Sequence, residues 1–390
     1  MSPTSPFLVL PALAMALLTT KLFIKLSGKK PPLVQYIAID GLRGYLAFFV
    51  FLHHASFWYF YLHTNVWAEP PSHMYVHFGG MSVSLFFMIT GFLFFQKLIN
   101  NNKKPVDWVR LFVSRVLRLY PVYLIAILFG FLIVLSLSQW KINDRPIPFL
   151  HEIFQWSAFT VVGKPPINHT TYMDFITAGV TWTLIYEWLF YLSLPIIGLV
   201  FFRARVNVII LLLSIFLVFL VYKYNLLKPI NFYSFGAGLL AAFLVKWKRF
   251  ITIIHKKIYS AIAILCLAAA VYFFETPYEI FPLTLIAIAF IIIAGGNNLF
   301  GLLSNKVSRT MGQISYPLYL LHPILLFVTF RFVLGFDETV HQPVYIYWLI
   351  VSVCAFALVL ICFAIHYFIE LPCMKATEKV TAAIRKRIGK

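Results

Sequence analysis

Asp40-Gly-Leu-Arg-Gly-Tyr-Leu-Ala-Phe-Phe-Val-Phe-Leu-His-His54 begins a run long and apolar enough to cross a bilayer, yet it carries an arginine at its start and two histidines midway. Read as an α-helix, it puts Arg43 and His54 eleven residues apart, about three turns, with an angular offset of only ~20°. They share one face, separated by ~16 Å along the axis, roughly half the hydrocarbon thickness. His53 is rotated by ~100° and looks elsewhere. One side of this helix therefore offers a cation at the membrane surface and an imidazole near mid-depth. Ionisable groups at such depth are costly and mark a pathway or a site.

The remainder of the chain confirms the membrane setting. Of 390 residues, 61% are hydrophobic and 12% charged, and the mean hydropathy is +0.87. A soluble domain cannot hide that much apolar surface. Beyond a first apolar run at 7–24, spans are expected near 43–62, 81–99, 118–139, 182–202, 206–222, 230–245, 258–274, 280–295, 313–334 and 345–368. The fold class is therefore all-α, a polytopic transmembrane helix bundle with ten core helices plus one N-terminal helix. In the first run the lysines (Lys21, Lys25, Lys29, Lys30) follow the apolar stretch, which argues for an anchor rather than a signal peptide.

Charge alternates between the loops. Lys103, Lys104, Arg110, Arg115 and Arg118 fall on one side, as do Arg203, Arg205, the cluster Lys246 to Lys257, Lys306, Arg309 and the tail Lys375 to Lys390. The other side holds Glu275, Glu279, Asp337 and Glu338 and few cations, with Lys141, Arg145, Lys164, Lys223 and Lys228 as the exceptions. The positive-inside rule then makes the Arg43 end and the C-terminus cytoplasmic. It also accounts for the net charge of +19 without a nucleic-acid partner. The four cysteines have no metal-ligand spacing and suggest no disulfide framework. The longest outer loop, about 140–180, contains a possible glycosylation acceptor in Asn168-His-Thr170. His73 and His77 have the i, i+4 spacing of a metal pair, but Pro70-Pro71 and Gly79-Gly80 argue against a sustained helix there, and no metal is expected.

Three further polar intrusions can carry chemistry. Arg115 and Arg118, three residues apart, are neighbours on one helical face, and two guanidinium forks suit phosphate groups. The plain alternative is topogenic cations reaching into headgroups. Glu187, well inside an apolar run, needs a partner; it could orient a hydroxyl or complete an internal salt bridge. Ser315, Tyr319 and His322 share one face at i, i+4, i+7, and His322 in mid-span calls for a polar cavity. Glu370-Leu-Pro372 closes the last span at its edge, solvated or bound to a loop arginine.

Several of these stretches, in order, carry a resemblance. Asp-Gly-Leu-Arg43-Gly with ten residues before His54, Phe86-Phe-Met-Ile-Thr90-Gly91-Phe, Arg115-Val-Leu-Arg118 before Pro121, Trp182 to Tyr191, Ser315 to His322 and Glu370-Leu-Pro372 resemble segments of the acyltransferase-3 family of integral membrane O-acyltransferases. Thr90 stands where that family has serine, and the hydroxyl is kept. The resemblance implies a domain over 36–372, leaving an N-terminal anchor helix and basic linker at 1–35 and a basic cytoplasmic tail at 373–390. It implies an acyl-CoA donor, commonly acetyl-CoA, used as substrate rather than as a bound cofactor, and a carbohydrate or glycolipid hydroxyl as acceptor, all within the lipid bilayer. On that basis Arg43, Arg115 and Arg118 would hold CoA phosphates. His54 would be the general base, with Arg43 and Glu187 completing the catalytic group, and Thr90, Tyr319 and His322 would face the acceptor. His54 carrying the acyl group covalently fits equally well. The competing reading is a transporter or flippase using the buried Arg, Glu and His as a proton or anion path.

Overall fold

The computed structural model describes residues 2–29, 31–32, 35–101, 105–225 and 227–388. Lys30, Lys103, Lys104 and Lys390, four of the cations that mark the basic side in the sequence, lie outside these. Among the described residues there is no strand, only an isolated bridge between Ile167 and Thr170. The helices are α1 (Val9–Ser27), α2 (Ile37–Thr64), α3 (His73–Ile99), α4 (Trp108–Leu137), α5 (Pro146–Ser157) and α6 (Tyr172–Ile176). They continue with α7 (Trp182–Phe202), α8 (Val208–Tyr224), α9 (Ile230–Leu244), α10 (Lys248–Ile254), α11 (Lys257–Phe273) and α12 (Ile280–Ala294). The last are α13 (Lys306–Gln313), α14 (Ser315–Val328), α15 (Phe336–Val340), α16 (Val344–Ile365), α17 (Leu371–Lys375) and α18 (Thr377–Ile388). Short π-helical turns at Thr329–Val333 and His366–Glu370 extend α14 and α16.

A helix lies at each of the eleven apolar stretches, and six are long and apolar enough to cross a membrane: Pro6–Ser27, His73–Ile99, Trp108–Leu137, Trp182–Phe202, Ser315–Val333 and Val344–Arg387. The protein is thus an all-helical, multi-pass membrane protein. The expected ten core spans are not all of that length. α8, α9 and α12 have 17, 15 and 15 residues, and α11 follows α10 across an 80° bend. α2, with 28 residues, has the length but carries Asp40, Arg43 and three histidines.

Two boundaries differ from the sequence reading for local reasons. α3 starts at His73 and runs through Gly79-Gly80, so His73 and His77 do share a helix. The tight packing of the His53 ring against Gly79 explains the glycine: a Cβ there would meet the imidazole at 2.6 Å. α4 starts at Trp108, ten residues before the expected span, because the Asp107 side chain caps it by accepting from the Arg110 backbone N–H at 3.2 Å. Arg110, Arg115 and Arg118 therefore belong to a helix, not to a loop.

The chain divides into two compact units, residues 1–96 with 229–363 and residues 97–228 with 364–390. In the first, α2 packs against α13 and α14, with α12 and α15 also touching it. The α2–α13 crossing is backbone against backbone. A Cβ on Gly41 would overlap the Leu303 carbonyl oxygen, one on Gly312 the Asp40 carbonyl oxygen, and one on Gly44 would meet the Gly312 nitrogen at 2.8 Å. Small residues allow such approach between membrane helices, where van der Waals contact replaces the hydrophobic drive. The crossing is pinned by the Tyr45 and Ser308 hydroxyls, 2.8 Å apart. α3 and α9 meet in the same way at Gly91, where a Cβ would come within 2.6 Å of the Phe235 carbonyl oxygen.

In the second unit α4 is the organiser, touching α5, α6, the His366–Glu370 turn, α17 and α18. The C-terminal segment expected as a basic tail includes α18, a helix bound to α4 by ion pairs of Arg110 with Glu378 and Arg385 with Asp107.

Gly41→Ala or Gly312→Ala should destabilise the protein by at least about 1–3 kcal/mol, since the obstructing atoms are backbone and cannot turn aside. Gly236→Ala, where nothing lies within 4 Å, should be neutral or gain about 0.5–1 kcal/mol. Thermal unfolding in detergent separates the two outcomes.

Candidate active site

His54 and His322 meet in the interior of the first unit. His322 Nε2 lies 2.9 Å from His54 Nδ1, the ring centroids are 5.0 Å apart, and the side chains are 9% and 0% exposed. The protons can be assigned from heavy atoms alone. His322 Nδ1 faces the Leu318 carbonyl oxygen at 3.1 Å. A nitrogen set against a carbonyl must carry its hydrogen. The other nitrogen of neutral His322 is then an acceptor, so His54 Nδ1–H donates to it. That hydrogen is shared with the Val50 carbonyl oxygen at 3.1 Å. His54 Nε2 is left with a lone pair and makes no hydrogen bond among the described residues. That lone pair is held in place by the hydrogen bonds on the other ring nitrogen.

The surroundings are aromatic. Phe51 and Tyr319 approach His322 edge-on at 6.4 and 6.2 Å, and Phe57 lies 5.9 Å from His54. Tyr319 in turn meets Phe86 at 6.2 Å, while Thr90 is half-buried one turn further along α3. His53 is occupied otherwise: its Nδ1 donates to the Tyr75 carbonyl oxygen at 2.7 Å. Arg43 lies half-buried on α2, three turns from His54 and out of contact with it.

Arg115, Arg118 and Glu187 belong to the second unit, where two polar clusters form. The Tyr191 hydroxyl donates to Glu187 Oε2 at 2.9 Å, and Arg115 hydrogen-bonds that tyrosine beside the Glu187 charge. Arg118 Nε lies 3.9 Å from Glu370 Oε1, and His366 Nδ1 donates to Glu370 Oε2 at 2.7 Å. Glu370 is 1% exposed, so of its two expected settings, solvated or bound to an arginine, the structure shows the second, with Arg118 and the His366 imidazole as its partners. Tyr191 and His366 were not singled out in the sequence, although both stand at i, i+4 from a carboxylate, the spacing that finds such pairs.

His77 Nδ1 donates to the His73 carbonyl oxygen, and among the described residues no three His, Cys, Asp or Glu side chains cluster for a metal. All four cysteines are free. Asn168 is fully buried, its amide donating to the Lys141 carbonyl and accepting from the Asn143 N–H, so it is a loop clamp rather than a glycosylation acceptor.

The architecture and buried polar pairs define a multi-pass helical membrane protein with a histidine-centred interior. The Acyl_transf_3 model, described as an acyltransferase domain, matches residues 36–367, and the chain belongs to that family. It is a membrane acyltransferase. No curated protein and no solved structure matches the chain.

Glu370→Ala should lower stability by about 1–3 kcal/mol, because it strands the buried His366 donor and the Arg118 guanidinium together. Unfolding in detergent checks this, and Glu370→Gln should recover part of the loss.

Proposed function

We propose that the protein transfers an acyl group, acetyl in the simplest case, from acyl-CoA to a hydroxyl of a cell-surface or lipid-linked carbohydrate, with His54 as the general base. The observation that carries this reading is the lone pair left on His54 Nε2 by the hydrogen bond to His322. Nε2 takes the acceptor's hydroxyl proton as the oxygen attacks the thioester carbonyl. The C–O bond forms, the C–S bond breaks, and the proton passes from His54 to the departing thiolate. His322 holds His54 in the required tautomer, and its Nε2 supports the imidazolium that forms briefly. His322 is thus a positioning residue. Tyr319 and Thr90 are assigned to the acceptor side of the same unit.

Arg43, Arg115 and Arg118 are each a guanidinium for a donor phosphate, and Glu187 acts through Tyr191 and Arg115 by fixing the fork. Ten core spans, with the Arg43 end and the C-terminus in the cytoplasm, agree with the loop charges and would present those arginines to cytosolic acyl-CoA.

The test is purified protein in nanodiscs with radiolabelled acetyl-CoA and envelope glycans. His54→Ala should reduce transfer by about 10²–10⁴-fold; full activity would end the assignment. His53→Ala, whose ring serves α3, should cost far less activity, and His322→Ala should lower kcat more than KM.

Arg115→Lys and Arg118→Lys should raise the donor KM by about tenfold or more through loss of a charge-assisted hydrogen bond. Acetyl-CoA lacking its 3′-phosphate reports which arginine reads that group: the responsible variant loses its difference from wild type with this donor.

A further inference from the structure

The cations of the basic loops fall into two kinds. Some are engaged by carboxylates: Arg118 by Glu370, Arg110 by Glu378 and Arg385 by Asp107. The segment from α10 into α11 is different. Lys246-Trp-Lys-Arg-Phe-Ile-Thr-Ile-Ile-His-Lys-Lys257 carries five cations in twelve residues, and the next carboxylate in the chain is Glu275. All five are exposed. Among the described residues Lys248, Arg249, Lys256 and Lys257 enter no ion pair.

These cations stand on a fixed shelf. The axis of α10 meets that of α11 at 80°. Asn297, itself buried, holds the bend. Its amide donates to the Ile254 carbonyl at 2.9 Å, where α10 ends, and its Oδ1 accepts from the Ser260 hydroxyl at 2.8 Å, near the start of α11. Phe250 and Ile254, one turn apart, rest on Gly295, where a Cβ would meet them at 3.1 and 2.8 Å. Helical geometry turns Lys248 and Thr252 to the opposite face, with Arg249 at its edge. An α11 that crosses the bilayer therefore lays α10 along the membrane surface, one face seated on the protein and the other basic. Trp247 and Ile258, 63% and 59% exposed, flank the cations. An indole and an aliphatic side chain beside unpaired cations match the headgroup level, where the apolar groups meet acyl carbon and the charges meet phosphate. A soluble anion would leave that apolar surface unused.

We infer that α10 and the start of α11 form a binding shelf for anionic phospholipid headgroups, in the leaflet that faces the protein's basic loops. Full-length protein in detergent is titrated with phosphatidylglycerol and phosphatidylcholine, and the bound lipids are counted by native mass spectrometry. Wild type should hold phosphatidylglycerol in preference to phosphatidylcholine. A cation near a membrane surface is worth roughly fivefold in lipid affinity. Lys248→Gln/Arg249→Gln should therefore weaken phosphatidylglycerol binding by about tenfold or more, with Lys246, Lys256 and Lys257 kept as topological signals. Lys379→Gln/Lys386→Gln in α18 removes the same charge and should leave the preference near wild type. Should the first pair fail to fold, Lys256→Gln/Lys257→Gln takes its place, with the same loss expected. No preference in wild type, or equal loss from the α10 and α18 pairs, would overturn the inference. So would displacement of the lipid by inorganic phosphate but not by chloride of equal ionic strength, the mark of a free-phosphate site. A dimer that only the α10 pair dissolves would assign the face to a second copy of the chain instead.

Discussion

A hydrogen bond between two imidazoles 268 residues apart in the chain is the constraint around which the first unit is arranged. Inside a bilayer a polar side chain has no water to turn to, so it must find its partner within the protein. His54 and His322 satisfy each other and lean on carbonyl groups of their own helices. This requires α2 and α14 to sit at a fixed separation and rotation. The glycines of α2 secure that placement by letting α13, which runs directly into α14, approach backbone to backbone. The Asp-Gly-Leu-Arg-Gly opening thus carries two functions on different faces: Gly41 and Gly44 set the crossing, and Arg43 lies off it.

The second unit solves the same problem with charge. Its arginines are joined to carboxylates through Tyr191 and directly at Glu370, so the guanidinium groups are steered rather than left to reach for headgroups. A planar fork held by a carboxylate or a phenol keeps donors to spare for a second anion. It is an arrangement that counting arginines in loops does not reveal.

Much of this was legible from residues alone. Apolar length located the helices, with 182–202 matching α7 at both ends, and helical-face arithmetic separated His54 from His53. What it missed has physical causes. Face arithmetic states what a helix offers but not which helix receives it, so His322 read as a separate feature with its own cavity. Pro70-Pro71 and Gly79-Gly80 looked like breakers at His73–His77, but prolines before a first turn do not stop a helix, and the glycines admit the His53 ring. The Asn168 triplet fitted an exposed acceptor until its amide proved to clamp a turn, an interaction with backbone 25 and 27 residues away.

Under the proposed mechanism, the histidine pair gives a reason for imidazole rather than carboxylate as the group behind the base. In the serine-hydrolase arrangement an aspartate orients the histidine and stabilises the imidazolium. A lone carboxylate at mid-membrane depth brings a net charge that must be desolvated even at rest, a cost that its attraction to the neutral base does not repay. A neutral histidine orients its neighbour equally well, because the Leu318 carbonyl fixes which nitrogen accepts. In the proposed mechanism, charge then arises only while His54 holds the substrate's proton, and it lasts no longer than the transfer. The aromatic walls around the pair suit that division: they are indifferent to the resting neutral dyad, and their ring faces can favour a passing cation.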